Sequence, residues 1–316
     1  MFAIRGIAVS FSVFVIVYAA LSLAVSLVWQ RVWLHSQDHA ARRVADLLFT
    51  LRIFPLVAAA LITVAFTVPS FLLLEPRSID EPMGGIPMTL GTAGILLGIF
   101  GLVNAGLAVL RTWRTVATWT NEAESVESRS PVPVLRIVPA VPAMTAAGIL
   151  RPKVLMSGVA EFLLTANEMQ TALNHEIEHV RRRDNLKKLL LRFVAFPGLA
   201  DLETAWLEAT EMAADDAAVS NAGEALDLAA ALIKLSRLGP SGSRADLTAA
   251  LIHSPVATMN ARVARLIAWS EDRIQAPSRF VSWYGVGAAL ATVAVFAVTY
   301  SQLLAHIHTA TEWLVR

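Results

Sequence analysis

Cysteine is absent from the 316 residues. That excludes a disulfide framework, every thiolate metal site and a cysteine nucleophile. Charge is scarce as well. Asp, Glu, Lys and Arg make up 16% of the chain, against about 25% in an ordinary soluble domain. Neither sign dominates. The net charge of +1 argues against a general nucleic-acid binder, which carries a strong basic excess. Hydrophobic residues take the remaining share at 56%, above the roughly 45–50% of a soluble domain. Membrane spans are the first consequence to look for.

A span needs about 20 mostly apolar residues. Stretches at 7–28, 53–74, 90–110 and 281–304 qualify. The first is longer than a signal-peptide core and reads as an uncleaved helix. Gly94 and Gly98 in the third form a small-xxx-small pair, suited to close helix packing or to a homo-oligomer seam. Trp283, Tyr284 and Tyr300 sit near the ends of the fourth, where aromatic rings favour the interface. Arg31, Arg42, Arg43 and Arg52 crowd the first loop. Arg77 stands among Glu75, Asp80 and Glu81 in the second. The positive-inside rule then places the first loop and the long segment after the third span in the cytoplasm, with both termini outside. The expected setting is an inner (plasma) membrane crossed several times.

No Asp, Glu, Lys, Arg or His falls inside these spans. Transporters and pumps place such residues at mid-membrane, so the spans read as anchors and the chemistry belongs elsewhere. Asn104, the main polar exception, reads as an interhelical hydrogen-bonding residue. The chain then divides into three spans at 1–111, a cytoplasmic domain at 112–280, and a fourth span with a short outer tail at 281–316.

Within the domain, Asn121 to Ser130 reads as a polar linker. Val132–Val138 and Lys153–Met156 read as short strands, which the neighbouring prolines demote to edge strands. Thr165 followed by Glu168 is a capping box, so a helix starts at Ala166. That helix carries "NHEIEHVRRRDNL", residues 174–186. His175 and His179 lie four apart, so they share a helix face one turn apart and can share one ion. Glu176 projects about 100° round the helix, near such an ion without being forced to bind it. HExxH on a helix is a zinc motif in which two histidines ligate and the glutamate serves as general base. As a bare pattern it competes with a solvated helix face bearing two unrelated histidines.

A third ligand decides between the two. "EMAAD", residues 211–215, lies on a later helix separated from its successor at Asn221–Gly223. Glu211 would complete a His–His–Glu set. Asp215, one turn on, could hydrogen-bond a ligand histidine. The small residues Ala213, Ala214, Ala217 and Ala218 suit close packing against the first helix. A further helix reads from Met259 to Trp269. Arg181 to Arg183 read as solvated cations at a helix C-terminus. Residues 186–200 are too short and too charged to span, and suit the membrane surface or a cleft wall.

"LNHEIEHVRRRDNL" followed by "EMAADDAAV" resembles the BlaR/MecR-type membrane metallopeptidases, the beta-lactam signal transducers. "AAGILRPKVLMS", residues 146–157, resembles the strand region before HExxH in that family, and the order of three spans, domain and fourth span also fits. The resemblance implies a four-span α-helical membrane protein with an inserted cytoplasmic α+β zincin-like peptidase domain. It implies one Zn2+ per chain on His175, His179 and Glu211, with Glu176 as base and Asp215 following the third ligand. It also implies a cytoplasmic protein substrate, such as a transcriptional repressor in a signalling pathway. Arg262 in "MNARVARL" resembles a late arginine of related peptidases, with no role attached. Two features depart from the pattern. The chain ends at Arg316 without the extracellular penicillin-binding sensor, so beta-lactam detection is not expected. The connection "KKLLLRFVAFPGLADLETAWLEAT" lacks the family's aromatic, arginine-rich look, and with it goes any inference about the substrate groove. The rival expectation is a catalytically inactive membrane receptor or scaffold that keeps the fold. Partners expected on either reading are a protein or peptide and the lipid bilayer, with no direct nucleic-acid binding.

Overall fold

The computed structural model describes residues 2–36, 39–76, 84–126, 130–138, 143–193, 198–238, 247, 249–250, 256–269, 300 and 302–311. The chain divides into two compact units. One comprises Met1–Val28, Ile53–Phe100 and Pro277–Arg316; the other comprises Trp29–Arg52 and Gly101–Ala276.

Helix α1 spans Phe2–Ser36 and α2 spans Ala41–Ile62. A π-helical turn, Thr63–Thr67, leads into α3 at Val68–Leu74, and α4 spans Gly85–Thr120. Of these, the three long helices α1, α2 and α4 have residues in both units. Three helical stretches are long and apolar enough to cross a membrane: Phe2–Ser36, Ala41–Leu74 and Gly85–Thr120. Each outruns the apolar stretch that marks it in the sequence, because a nucleated helix adds further residues at little cost. Of the expected fourth span, residues 281–299 and 301 lie outside the described residues; 302–311 are helical.

The π-turn has a local cause. Pro69 has no N–H to give to the carbonyl of Ala65, so a helix interior loses one bond there. The Tyr300 hydroxyl donates to that Ala65 oxygen at 2.6 Å. Helices α1 and α4 approach closely through glycine. A Cβ on Gly91 would stand 2.7 Å from the Ala8 carbonyl oxygen, and one on Gly94 would stand 2.9 Å from that of Phe11. Gly94 therefore serves packing within the chain, whereas Gly98 faces open space.

The second unit holds a five-stranded sheet ordered β1-β2-β4-β3-β5. The strands are β1 Glu124–Val126, β2 Val134–Ile137, β3 Met144–Ala147, β4 Lys153–Ser157 and β5 Ala249–Ala250. Only β2 and β4 pair in parallel; the other pairs are antiparallel. This corrects the edge-strand expectation for β2 and β4, which are both interior. Pro131, Pro133 and Pro152 stand before the strands they flank and interrupt neither ladder. The stretch read as linker contributes β1.

Six helices complete the unit: α5 Gly158–Leu163, α6 Ala166–Arg181, α7 Asp184–Phe193, α8 Ala200–Ala218, α9 Ala222–Ser236 and α10 Val256–Ile267. The capping box of α6 forms as expected. Glu168 N–H donates to Thr165 Oγ1 at 3.3 Å, and Thr165 N–H donates to Glu168 Oε2 at 2.8 Å. Glu168 also accepts from Lys234 Nζ at 2.7 Å, tying the start of α6 to the end of α9. Leu228, Leu232 and Leu235 recur at helical spacing on α9 and are fully buried. They pack with Ala172, Leu173 and Ile177 of α6 and with Met144, Val154 and Met156 of the sheet. Burial of each such leucine stabilises by about 1.5–3 kcal/mol. This core fixes α6 between the sheet and the later helices. Asn104 behaves as its sequence setting suggests: its Nδ2 donates to the Arg192 carbonyl of α7 at 2.7 Å.

Candidate metal centre

Apolar residues Ala172, Leu173 and Ile177 pin one face of α6 to the core, and His175, Glu176 and His179 go inward with it. Their exposures are 0%, 0% and 2%. Helix α8 packs against the same region through Ala209, Ala213, Ala214 and Ala218, all buried, while Ala217 faces solvent. Small side chains let the two helices come close enough for Glu211 to reach across.

His175, His179 and Glu211 each turn a ligand atom to a common point, with these atoms within 4.8 Å of one another. The two Nε2 atoms are 3.2 Å apart. Glu211 places Oε2 3.6 Å from His175 Nε2 and Oε1 3.6 Å from His179 Nε2. An ion held tetrahedrally at about 2.0–2.1 Å needs ligand atoms roughly 3.3–3.4 Å apart. The three residues converge and could hold such an ion.

Each histidine has its own carboxylate. His175 Nδ1 lies 3.0 Å from Asp215 Oδ1. His179 Nδ1 lies 2.8 Å from Asp184 Oδ2. The Asp184 hydrogen bond on Nδ1 fixes the His179 tautomer and turns its Nε2 toward the common point, while Asp215 stands at ion-pair distance from His175. The chain brings Asp184 back to His179 with a sharp turn. Helix α6 ends at Arg181, and Arg183 adopts φ 56°, the left-handed conformation that closes helix C-termini. Arginine there costs about 1–2 kcal/mol relative to glycine, so the turn is maintained against local preference.

Arg262 of α10, 1% exposed, closes the far side. Its Nε and Nη2 donate to Asp215 Oδ2 and Oδ1 at 2.7 and 2.6 Å. Its Nη1 lies 2.9 Å from Glu211 Oε2. Next to it, Arg265 pairs with Asp216. A single guanidinium therefore holds both the third ligand and the carboxylate behind the first.

Glu176 stands apart from these pairs. Its Oε2 accepts from the Ala146 N–H of β3 at 2.7 Å, while Oε1 is buried with no hydrogen-bond partner among the described residues. Burial raises its pKa above the usual carboxylate range, with the neighbouring histidines pulling the other way. Strand β3 is held in place beside it by Asn185 Nδ2, which donates to the carbonyls of Ala146 and Gly148 at 3.1 Å.

Charges at the site are strongly coupled. Burial opposes the charged form of His175, yet Asp215 and Glu211 overcome it and raise its pKa to about 9. Burial likewise opposes ionised Glu211, but Arg262 and the histidines hold it down at about 2. Asp215 is lowered in the same way against burial, by Arg262 first. Lys188 of α7 also faces this group. Burial lowers its pKa, while the carboxylates of Glu211, Asp184 and Glu176 favour its charge.

A cleft of about 350 Å3 opens onto His179, walled by Ile149, Pro152, Val180, Asn185 and Leu186 among others. Helix α7 supplies the last two residues, and of these Leu186 belongs to the stretch expected at a membrane surface or cleft wall. The solvated reading of Arg181 to Arg183 needs correction at its centre. Arg182 is buried, 3.7 Å from Asp184 and 3.8 Å from Asp46, because the αL turn at Arg183 folds it inward.

Asp184 and Lys188 were not legible as site residues, and Arg262 was marked by resemblance alone, without a role. Asp184 follows the helix end, so helical spacing does not connect it with His179. Arg262 lies on a separate helix far along the chain. No protein-family model matches the chain, and no curated protein matches it.

Proposed function

We propose that the protein is a membrane-anchored zinc endopeptidase that hydrolyses peptide bonds of a protein beside the membrane, on its cytoplasmic face. One observation carries this reading. The buried His175–His179–Glu211 group stands beside a buried glutamate whose Oε1 makes no hydrogen bond among the described residues. A structural metal site needs no such group, because its ligands close around the ion. Three protein ligands leave a fourth position open, and Glu176 is placed to serve what binds there.

A bound zinc ion would polarise the peptide carbonyl and ease deprotonation of the attacking water. The residues supply the rest. Glu176 takes that proton on Oε1, burial favouring its protonated form, and passes it to the departing amine nitrogen. Ala146 N–H keeps the carboxylate oriented through Oε2. Asp215 and Asp184 hold the two imidazoles, and Arg262 holds Glu211. Lys188 balances part of the negative charge. The cleft at His179 admits the polypeptide. Strand β5 pairs with β3 at Ala146↔Ala249 and Thr145↔Ala250, so β3 offers no free edge while β5 is in place.

The test uses the full chain purified in detergent. Wild type is expected to hold one zinc per chain, and Glu211→Ala to lose it. Glu176→Gln is expected to keep zinc and to lose peptide hydrolysis by about 10²–10⁴-fold. No zinc in wild type after zinc is supplied would leave the non-catalytic receptor as the reading. Unchanged hydrolysis in Glu176→Gln would sink the mechanism.

A further inference from the structure

Helix α7 ties the metal centre to two of the long helices. At its start, Asp184 Oδ2 lies 2.8 Å from His179 Nδ1, and Asn185 Nδ2 donates to the Gly148 carbonyl beside the cleft at 3.1 Å. Lys187 reaches α2: its Nζ lies 3.3 Å from Asp46 Oδ1 and 5.5 Å from the centre of the Phe49 ring. At its end α7 meets α4. Asn104 Nδ2 donates to the Arg192 carbonyl at 2.7 Å, and a Cβ on Gly101 would stand 2.5 Å from the Phe193 carbonyl oxygen. All of these residues belong to the second unit.

These contacts set a depth. Gly101 and Asn104 fall inside the apolar stretch 90–110, and the first charged residue after them is Arg111. From Gly101 to Arg111 the helix rises about 15 Å. Helix α7 has ten residues and is itself about 15 Å long. Adding one side-chain contact at each end leaves the metal ligands within about 25 Å of Gly101. The centre therefore lies no more than about 10 Å past the level of Arg111, close to the headgroup layer, which extends roughly 5–8 Å outside the hydrocarbon.

A chain that leaves a membrane span passes this height as an extended segment, before any domain of its own can fold. That is the form a peptidase cleft takes. A folded domain of 100 residues has a radius of gyration of about 13 Å, so the bilayer holds most of its peptide bonds away from a cleft at this level. We infer that the substrate is a polypeptide anchored in the same membrane, cut within about ten residues of its span at roughly 3.3 Å per extended residue. This rests on the peptidase reading above and names the class of protein it acts on.

The test has two arms, and the first needs no turnover. The chain lacks cysteine, so Leu150→Cys, at a cleft-lining position that is 93% exposed, takes a single bimane label. In phosphatidylcholine liposomes carrying a headgroup nitroxide, the label should lose most of its emission relative to liposomes without nitroxide. Unchanged emission would place the cleft away from the membrane and overturn the inference. The second arm uses the zinc-loaded full chain in liposomes and a pool of random-sequence segments about thirty residues long, roughly 100 Å when extended. The pool is offered free in solution or joined to a polyleucine span in the same bilayer, and products are mapped by mass spectrometry. Cuts should cluster within about ten residues of the span, and the free pool should be cut more slowly. Cuts spread evenly along the segment, or equal cutting of the free pool, would overturn the inference and leave the peptidase standing. No cutting of either pool by a chain whose label is quenched would overturn the peptidase reading, and the substrate class with it.

Discussion

Asp184 offers the sharpest test of how the metal centre is held. The residue is fully buried, and its Oδ2 receives the Nδ1 proton of His179 at 2.8 Å. Asp184→Ala strands that N–H in the interior, at a cost of about 1–3 kcal/mol. If the cost falls on the metal-bound form, it corresponds to roughly a 5- to 150-fold rise in Kd, overlapping the 10–100-fold typical for residues that support a ligand histidine. Asp184→Asn separates two contributions. The amide oxygen still accepts from Nδ1, so the tautomer is kept, but the negative charge that strengthens the imidazole as a donor is gone. The expected order of zinc affinity is wild type, then Asn, then Ala. The assay is competition with a chromophoric chelator on the full chain in detergent, with far-UV circular dichroism to show that the fold persists. A folded Asp184→Ala protein that binds zinc within twofold of wild type would refute the role.

Three further outcomes follow from the same geometry. With metal removed, His175 has a pKa raised to about 9. Its contribution to stability is therefore full below pH 6.5 and lost as pH rises through 9. Zinc must displace that proton, so at pH 7 calorimetry in buffers of different ionisation enthalpy should show a proton released per ion, and affinity should climb with pH toward 9. Arg262→Met leaves Glu211 and Asp215 buried without their cation, a loss of about 3–5 kcal/mol; the drop in melting temperature should be larger in chelated than in zinc-loaded protein, and equal drops would contradict the clamp. Gly91→Leu forces side-chain atoms onto the Ala8 carbonyl and should cost about 1–3 kcal/mol, read as earlier thermal unfolding in detergent; unchanged unfolding would mean α1 and α4 do not touch there.

Much of the site could be read in the sequence because helical periodicity is local. His175 to His179, and Glu211 to Asp215, are each one turn apart, and the capping box at Thr165 fixes where the phase starts. The alanines of α8 marked the packing face, save Ala217, whose position on the helix turns it outward. The strands were harder. Residues 144–147 are short, small and pressed between prolines, and nothing in "MTAA" marks the strand that positions Glu176. Proline suggested edges for β2 and β4, but edge or centre is decided by what else pairs, and the antiparallel β1 and β3 lie outside the local window. Asp184 escaped because a left-handed turn, not a helix, carries it to His179. Arg262 was marked only by resemblance, and its role escaped because its partners are 47 and more residues away.

The two carboxylates behind the histidines also differ in when they become available. Asp184 is only five residues from His179, so a nascent α6–α7 hairpin can orient that ligand before anything else docks. His175 and Glu211 wait for α8, and Arg262, 47 residues beyond Asp215, arrives with α10. A partly folded chain thus presents one prepared imidazole and little else. An ion held by all three ligands would therefore require that the distant helices have already found their places.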